Sequence, residues 1–204
     1  MKNIHDRVTK ATIGAALLLG SVAGCADSTI NHPVPSHATT QVTAAEVSGP
    51  LTEVMLSDGQ IVGIVSAVDG AEVAAGNLAL ERAASAATRE FAEHMVTAHS
   101  AMDAKLVELA DAQGIRMIES NVCKRLKRDT AGEGETLASM PGAQFDRSYI
   151  AAQLKGHEDV LDLLDTKLIP DAKNPTLKAA LQETRAHVVE HIRMAKEAQA
   201  ALGA

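Results

Sequence analysis

Apolar residues recur every three or four positions along four long segments of the chain, which is the spacing of one face of an α-helix. These segments cover residues 57 to about 85, 89 to about 113, 144 to about 167, and 175 to about 201. In the second segment the apolar face consists of Ala92, Met95, His99, Met102, Leu106 and Leu109. The pattern therefore predicts an all-α fold built on four long helices.

Local signals predict where these helices begin and how they connect. Ser57 and Gln60 have the spacing of a capping box, and Asn174 followed by Pro175 is typical of a helix start. A brief break at residues 86–88 makes the first two helices antiparallel neighbours. About 30 residues, 114–143, separate the second helix from the third, with a short helix predicted at 120–128. This length suits a ferritin-like four-helix up-down bundle with a long crossover between helices 2 and 3.

One ionisable residue interrupts the apolar face of each predicted helix: Glu72, His99, His157 and His191. Such a group is costly to bury unless it is paired, neutralised or bound to a cation. Glu72 lies about 15 residues before its turn and His99 about 12 after it, so the two lie at similar levels. These residue types predict a site in the bundle core for one ion of zinc, iron, copper or manganese.

Other polar residues leave alternatives open. His187 lies one turn before His191, so either histidine of the pair could be the ligand from the last helix. Asp103 and Tyr149 lie one and two turns from His99 and His157, where they could be outer ligands or hydrogen-bond partners of the ligands. A different interpretation is a buried polar layer that fixes helix register without any metal.

The N-terminal residues predict export and lipid anchoring. Residues 1–24 combine basic residues with a short apolar run at 11–22, as in a secretory signal peptide. The sequence Val22-Ala23-Gly24-Cys25 resembles a lipobox, which makes Cys25 the predicted lipidation site and the membrane a partner of the chain. We expect a flexible tether at 25–55 and the bundle domain at 56–204. The residue after Cys25 is Ala26 and not the aspartate that is typical of inner-membrane retention. We therefore expect the anchor in the outer membrane, with the domain facing the periplasm.

Composition excludes several classes of function. The formal charge of -7, one Tyr, two Phe and no Trp argue against nucleic-acid binding, which uses basic grooves and stacking aromatic residues. No phosphate loop, nucleophile elbow, Cys-x-x-Cys pair or dinucleotide motif is present, so the sequence gives no basis for a hydrolase, a kinase or a dehydrogenase. The identity of a protein partner is not predicted.

Several ordered blocks of residues carry a family resemblance. They are Glu72-Val73 with Leu78-Ala79; Phe91-Ala92, Met95-Val96 and His99; Phe145-Asp146-Arg147 with Tyr149 and His157; and Leu168-Ile169-Pro170, Leu177-Lys178, His191 and Ala195. Over about residues 56–201 the chain resembles the bacterial domain-of-unknown-function family 4142. The resemblance implies an exported ferritin-like four-helix domain, often called a predicted outer-membrane protein, with no agreed activity. It also implies that Asp146 belongs among the groups supporting the site.

The sequence departs from di-iron ferritins, which use Glu-x-x-His on two helices. The residues three before His99, His157 and His191 are Val96, Leu154 and Val188. We therefore expect one metal ion rather than a bridged pair, in a lipid-anchored envelope protein for metal sequestration, sensing or stress protection. The alternatives are a non-catalytic envelope interaction module and, less favoured, an iron-dependent redox enzyme.

Overall fold

The computed structural model describes residues 55–203, and every regular element in that range is helical. The elements are α1 (Asp58–Arg82), α2 (Ala86–Ala112), α3 (Asn121–Ala138), α4 (Gly142–Leu163), a π-helical turn (Leu164–Leu168), α5 (Ile169–Asp171) and α6 (Pro175–Ala201). From Leu56 onward the described residues belong to one compact unit. The predicted signal peptide, the predicted lipidation site Cys25 and nearly all of the predicted tether lie outside the described residues.

The predicted helix starts are confirmed at α1 and α6 and shifted at α2. Ser57 and Gln60 form both hydrogen bonds of the capping box. The Asn174 side chain accepts from the backbone N–H groups of the first turn of α6. In α2 the Ser85 hydroxyl accepts from the Thr88 N–H at 3.0 Å, so the helix begins at Ala86 rather than at residue 89.

The crossover between α2 and α4 contains a longer helix than expected. The prediction of a short helix at 120–128 is wrong in extent, because α3 continues through Gly132 and Gly134 to Ala138. Its face with Cys123, Leu126 and Leu137 is buried, and α3 packs chiefly against α1. The burial of this apolar face outweighs the helix cost of the two glycines, about 1 kcal/mol each.

The long helices pack mainly as the pairs α1 with α2 and α4 with α6, and α2 also contacts α6. Their buried apolar residues form two clusters. One includes Ile61, Leu106, Leu164 and Leu177, and the other includes Ala79, Met95, Tyr149 and Ala195. Along each of α2, α4 and α6, one buried histidine separates the residues of one cluster from the residues of the other. A polar layer therefore separates two apolar halves of the core.

Helix α1 is apolar enough to pass a simple test for a membrane span. Its most apolar 18-residue window has a mean hydropathy of 1.4, and it is the one such helix among residues 55–203. A buried core helix passes the same test, and α1 packs against α2 and α3.

Candidate metal centre

Three histidines from three different helices meet in the polar layer. They are His99 on α2, His157 on α4 and His191 on α6, and each is no more than 2% exposed. One potential ligand atom from each lies within 4.8 Å of those of the other two. Their ring centroids are 5.0 to 5.7 Å apart. The arrangement gathers three nitrogen donors from helices that are distant in the sequence.

Hydrogen bonds orient two of these rings. Nδ1 of His99 lies 2.8 Å from Oδ1 of Asp69, and Nδ1 of His157 lies 2.8 Å from the backbone oxygen of Gln153. A carbonyl or carboxylate oxygen accepts, so each Nδ1–H donates and Nε2 is left with its lone pair. A histidine that ligates a metal typically has its second nitrogen hydrogen-bonded in this way.

The remaining nitrogens lack hydrogen-bond partners. Nε2 of His99, Nε2 of His157 and Nδ1 of His191 are buried and accept or donate no hydrogen bond among the described residues. An unsatisfied buried polar group costs about 1–3 kcal/mol. A single partner that binds all three nitrogens would remove this cost for the whole layer.

The electrostatic environment keeps His191 neutral. Burial lowers its pKa from 6.5 to about 2, and the neighbouring His157 and His99 add to the shift. For Asp69, burial raises the pKa, while the hydrogen bond from His99 opposes that rise. A neutral imidazole has a free lone pair at physiological pH, which is the form that binds a metal ion.

The donor set fits a single transition-metal ion. Metal–nitrogen bonds of about 2.0–2.1 Å in a tetrahedral site place the nitrogens about 3.4 Å apart. Because the three donors lie within 4.8 Å of one another, small side-chain shifts suffice to reach that spacing. Three histidines also leave one coordination position open for water or another ligand.

Glu72 and Asp103 lie near the histidines but outside the group of three. Glu72 lines the same small internal cavity as His99 and His157. Glu72 and Asp103 are half-buried, and each has one buried carboxylate oxygen without a hydrogen-bond partner. Their roles as ligand or supporting group stay predictions.

Among residues 55–203, the two histidines outside the buried group, His94 and His187, are exposed. The His94 ring centroid lies 5.4 Å from that of His191. His187 is near enough to affect the charge state of His191. The buried position of His191 agrees with its place on the predicted apolar face of the last helix, while the choice of His187 as ligand stays an alternative.

Asp146 does not support the histidines. Its two carboxylate oxygens accept from the backbone N–H groups of Ala84 and Ser85, at 3.1 and 2.9 Å. At 1.5 Å per residue it lies about 16 Å along α4 from His157. The prediction that Asp146 supports the site is wrong, because the carboxylate satisfies the N–H groups of the α1–α2 turn.

Tyr149 is also held away from a bond to the histidines. Its ring packs against Phe91 and Phe145, with centroids 6.1 and 5.9 Å apart. The hydroxyl is buried and has no hydrogen-bond partner among the described residues. Burial raises its pKa, and the negative charge of Glu72 raises it further. The structure thus shows no hydrogen bond from Tyr149 to a histidine, and its role as an outer ligand stays a prediction.

Sequence reasoning missed Asp69, the hydrogen-bond partner of His99. The predicted apolar face of the first helix was defined by Glu72, yet Asp69, three residues earlier, is only 2% exposed. Asp69 follows Ile61 and Val65 at steps of four and precedes Glu72 by three, so it continues a buried helical face. That spacing is the signal that could have identified it.

A family model described as a domain of unknown function, DUF4142, matches residues 40–198. This range covers more than three quarters of the 204 residues. The chain belongs to the DUF4142 family. The DUF4142 match begins within the predicted tether and includes all three histidines of the cluster. No curated protein and no solved structure matches the chain.

Proposed function

We propose that this DUF4142 protein binds one transition-metal ion in the core of its helical domain, with His99, His157 and His191 as ligands. One observation carries the proposal: three buried imidazole nitrogens lack partners, and the three histidines present donors within 4.8 Å of one another. A metal ion satisfies all three lone pairs at once. Zinc, copper, iron and manganese all accept imidazole ligands to differing degrees.

The helical arrangement supports the proposal of a ferritin-like bundle. The pairs α1–α2 and α4–α6 pack together, and α3 occupies the connection between them. Such bundles build metal sites from side chains on facing helices. The absence of Glu-x-x-His at the three histidines favours one ion over a carboxylate-bridged pair.

Metal titration of the purified full-length protein tests the proposal. After chelator treatment, Zn²⁺ and Co²⁺ are added, and bound metal is measured by elemental analysis and by the visible absorption of Co²⁺. We expect one ion per chain in the wild type. His99→Ala, His157→Ala and His191→Ala should each lower the affinity at least about tenfold, because each removes one of three metal–nitrogen bonds.

The exposed histidines serve as matched controls. His94→Ala and His187→Ala remove the same ring from the neighbourhood of His191 and should keep one ion per chain. Equal metal content in the wild type and all three core variants would contradict the proposal. Loss of metal in His187→Ala with retention in His191→Ala would instead assign His187 as the ligand.

A metal-free polar layer is the alternative, and the buried pair of Asp69 and His99 at 2.8 Å favours it. In this case the histidines fix helix register and the protein acts as a non-catalytic envelope module. The wild type would then bind no metal in the titration. A His99→Leu, His157→Leu double variant would remain folded, as measured by circular dichroism.

We also propose that the protein acts at the bacterial cell envelope, anchored through lipid on Cys25, in metal sequestration, sensing or stress protection. The support is the leader at residues 1–24 and the small residues before Cys25. Mass spectrometry of the N-terminal peptide from membranes should show an acylated Cys25. A Cys25→Ser variant should lose the modification and leave the membrane fraction; an unmodified Cys25 in the wild type would refute the anchor.

A further inference from the structure

A groove separate from the histidines runs between α1, α3 and α4. Its volume is about 720 Å³, which is within the range of small-molecule sites. Small residues of α1 leave the space open, among them Ala67, Gly70, Ala71 and Ala74. Leu78, Leu126, Leu137 and Val160 supply larger apolar walls. The lining therefore suits a ligand with an apolar body.

Three residues that line this groove each have a buried side-chain oxygen without a hydrogen-bond donor. These atoms are Oε1 of Gln153, Oε2 of Glu72 and Oε1 of Glu133. Gln153 is only 6% exposed, so its side-chain amide oxygen has little access to bulk water. Because all three atoms are acceptors when the carboxyl groups are ionised, the missing partner is a hydrogen-bond donor.

The negative charge of the carboxylates that line the groove is not balanced by a lysine directed at them. Glu72 and Glu133 both line the groove. Burial raises the pKa of Glu133, and the negative charge of Glu72 raises it further. The lysine at the groove, Lys127, donates to Glu119 at 2.7 Å. A positively charged ligand would satisfy the acceptors and offset the repulsion between the two carboxylates.

The groove and the histidine cluster are separate spaces with a shared wall. Val68, Glu72 and Val160 line both the groove and the small cavity beside His99 and His157. Because none of the three histidines of the cluster lines the groove, an occupant of the groove does not displace a histidine ligand.

We infer that this groove, with Gln153, Glu72 and Glu133 as acceptors, binds a small organic cation: an amine or guanidinium group carried on an apolar body. The head group donates to the three oxygens, and the apolar body lies against the small residues of α1. The inference stands on the groove alone and does not require a metal ion.

Three probes of matched shape test the inference: 3-phenylpropylamine, 3-phenylpropanol and 3-phenylpropanoate. Binding to the full-length, chelator-treated protein is measured by isothermal titration calorimetry and by saturation-transfer NMR. We expect saturable binding of the amine and binding of the carboxylate at least about tenfold weaker, a difference of about 1.4 kcal/mol. The alcohol should lie between them.

Two variants locate the binding. Ala74→Leu fills the groove from an exposed position of α1, and Glu133→Gln removes one charge while keeping the shape of the side chain. Each should weaken amine binding about tenfold or more. Ala101→Leu makes the same change on an exposed position of α2 outside the groove and should have no effect.

The inference is overturned if the amine fails to saturate at millimolar concentration, or if the carboxylate binds equally well. Unchanged amine affinity in both Ala74→Leu and Glu133→Gln would also overturn it, because binding would then lie elsewhere. Should Ala74→Leu fail to fold, Glu133→Gln decides the outcome alone. Zinc titration of the same samples reports separately on the histidine site, so the two proposals can fail independently.

Discussion

At the scale of single residues, hydrogen bonds at one ring nitrogen prepare the other to bind a metal. The Asp69 carboxylate accepts a hydrogen bond from the Nδ1–H of His99, and the backbone oxygen of Gln153 accepts one from the Nδ1–H of His157. Each ring is then held in one tautomer and one orientation. Only the contact with Asp69 can be removed by mutation, because the acceptor for His157 is a backbone oxygen.

Replacement of Asp69 tests its part in the metal centre. Asp69→Asn should keep the hydrogen bond but lower metal affinity about 10- to 100-fold, because a neutral amide no longer raises the basicity of His99. The Kd for Zn²⁺ is measured by competition with a chromophoric chelator. Asp111→Asn, at an exposed position of α2, is the control. Identical Kd values for Asp69→Asn and the wild type would rule out this role.

The lowered pKa of His191 predicts that the metal-free protein loses stability in mild acid. The unfolded chain binds a proton at His191 near pH 6.5, whereas the folded protein resists protonation until about pH 2. Stability is therefore greatest above pH 6.5 and falls as the pH drops, by up to about 1.4 kcal/mol per pH unit. Urea unfolding in chelator at pH 7.5, 6.5 and 5.5 measures this dependence.

His191→Phe removes the titrating group and should flatten the pH dependence of the free energy of unfolding. His187→Ala, which deletes an exposed histidine one turn away, should leave the slope unchanged. If His191→Phe and the wild type share one slope, another group is responsible.

At the scale of helices and turns, buried polar contacts determine where one element ends and the next begins. Three backbone N–H groups at the connection from α1 to α2 find side-chain acceptors: Ala84 and Ser85 donate to Asp146, and Thr88 donates to Ser85. The turn is thereby bound to α4.

Removal of the Asp146 carboxylate should destabilise the fold without affecting the metal centre. Asp146→Ala leaves two N–H groups unsatisfied, and we expect a loss of about 2–4 kcal/mol in the free energy of unfolding. Asp162→Ala, at an exposed position of α4, is the control. A normal free energy of unfolding combined with a weakened Zn²⁺ affinity would restore Asp146 to the metal centre.

Close packing of α1 on α2 depends on Gly76. A Cβ there would lie 2.6 Å from a methyl of Val96 and 3.2 Å from the backbone oxygen of Ala92. Gly76→Ala should therefore lower the free energy of unfolding by about 1–3 kcal/mol. Gly70→Ala on the same helix meets nothing within 4 Å, and should raise it by about 0.5–1 kcal/mol through helix propensity. Equal effects of the two changes in thermal or urea unfolding would contradict this packing.

At the scale of the whole molecule, the proposed metal centre would join helices that are far apart in sequence. Its histidines come from α2, α4 and α6, and they lie between the two apolar clusters of the core. A bound ion would connect these helices at their middle, where each of the three histidines has one nitrogen without a hydrogen-bond partner.

Metal binding should therefore stabilise the whole helical domain. At a free Zn²⁺ concentration 100 times the Kd, the free energy of unfolding should rise by about 2.7 kcal/mol. Hydrogen–deuterium exchange should slow near the histidines on α2, α4 and α6 together. At the same Zn²⁺ concentration, His157→Ala should reduce the stabilisation to about 1.4 kcal/mol or less and weaken the protection from exchange; protection confined to one helix would point to a surface site instead.

Much of the fold could be predicted from the sequence because helical periodicity and capping are local. The capping box at Ser57, the start at Asn174 and the buried faces of α2, α4 and α6 all follow from residues within one or two turns. Helix α3 was underestimated because Gly132 and Gly134 weaken the local signal, while its burial against α1 depends on distant residues.

The sequence by itself determined that three helices each place a histidine on an apolar face, since spacing of three and four residues decides which side chains share a helix face. Only the tertiary structure decided that Asp69 rather than Glu72 hydrogen-bonds His99, that Asp146 caps a distant turn, and which nitrogens are left without partners. The physical reason is that hydrogen bonds depend on ångström-scale distances between helices. One residue of helical rotation, about 100°, exchanges the partner without changing the apolar pattern.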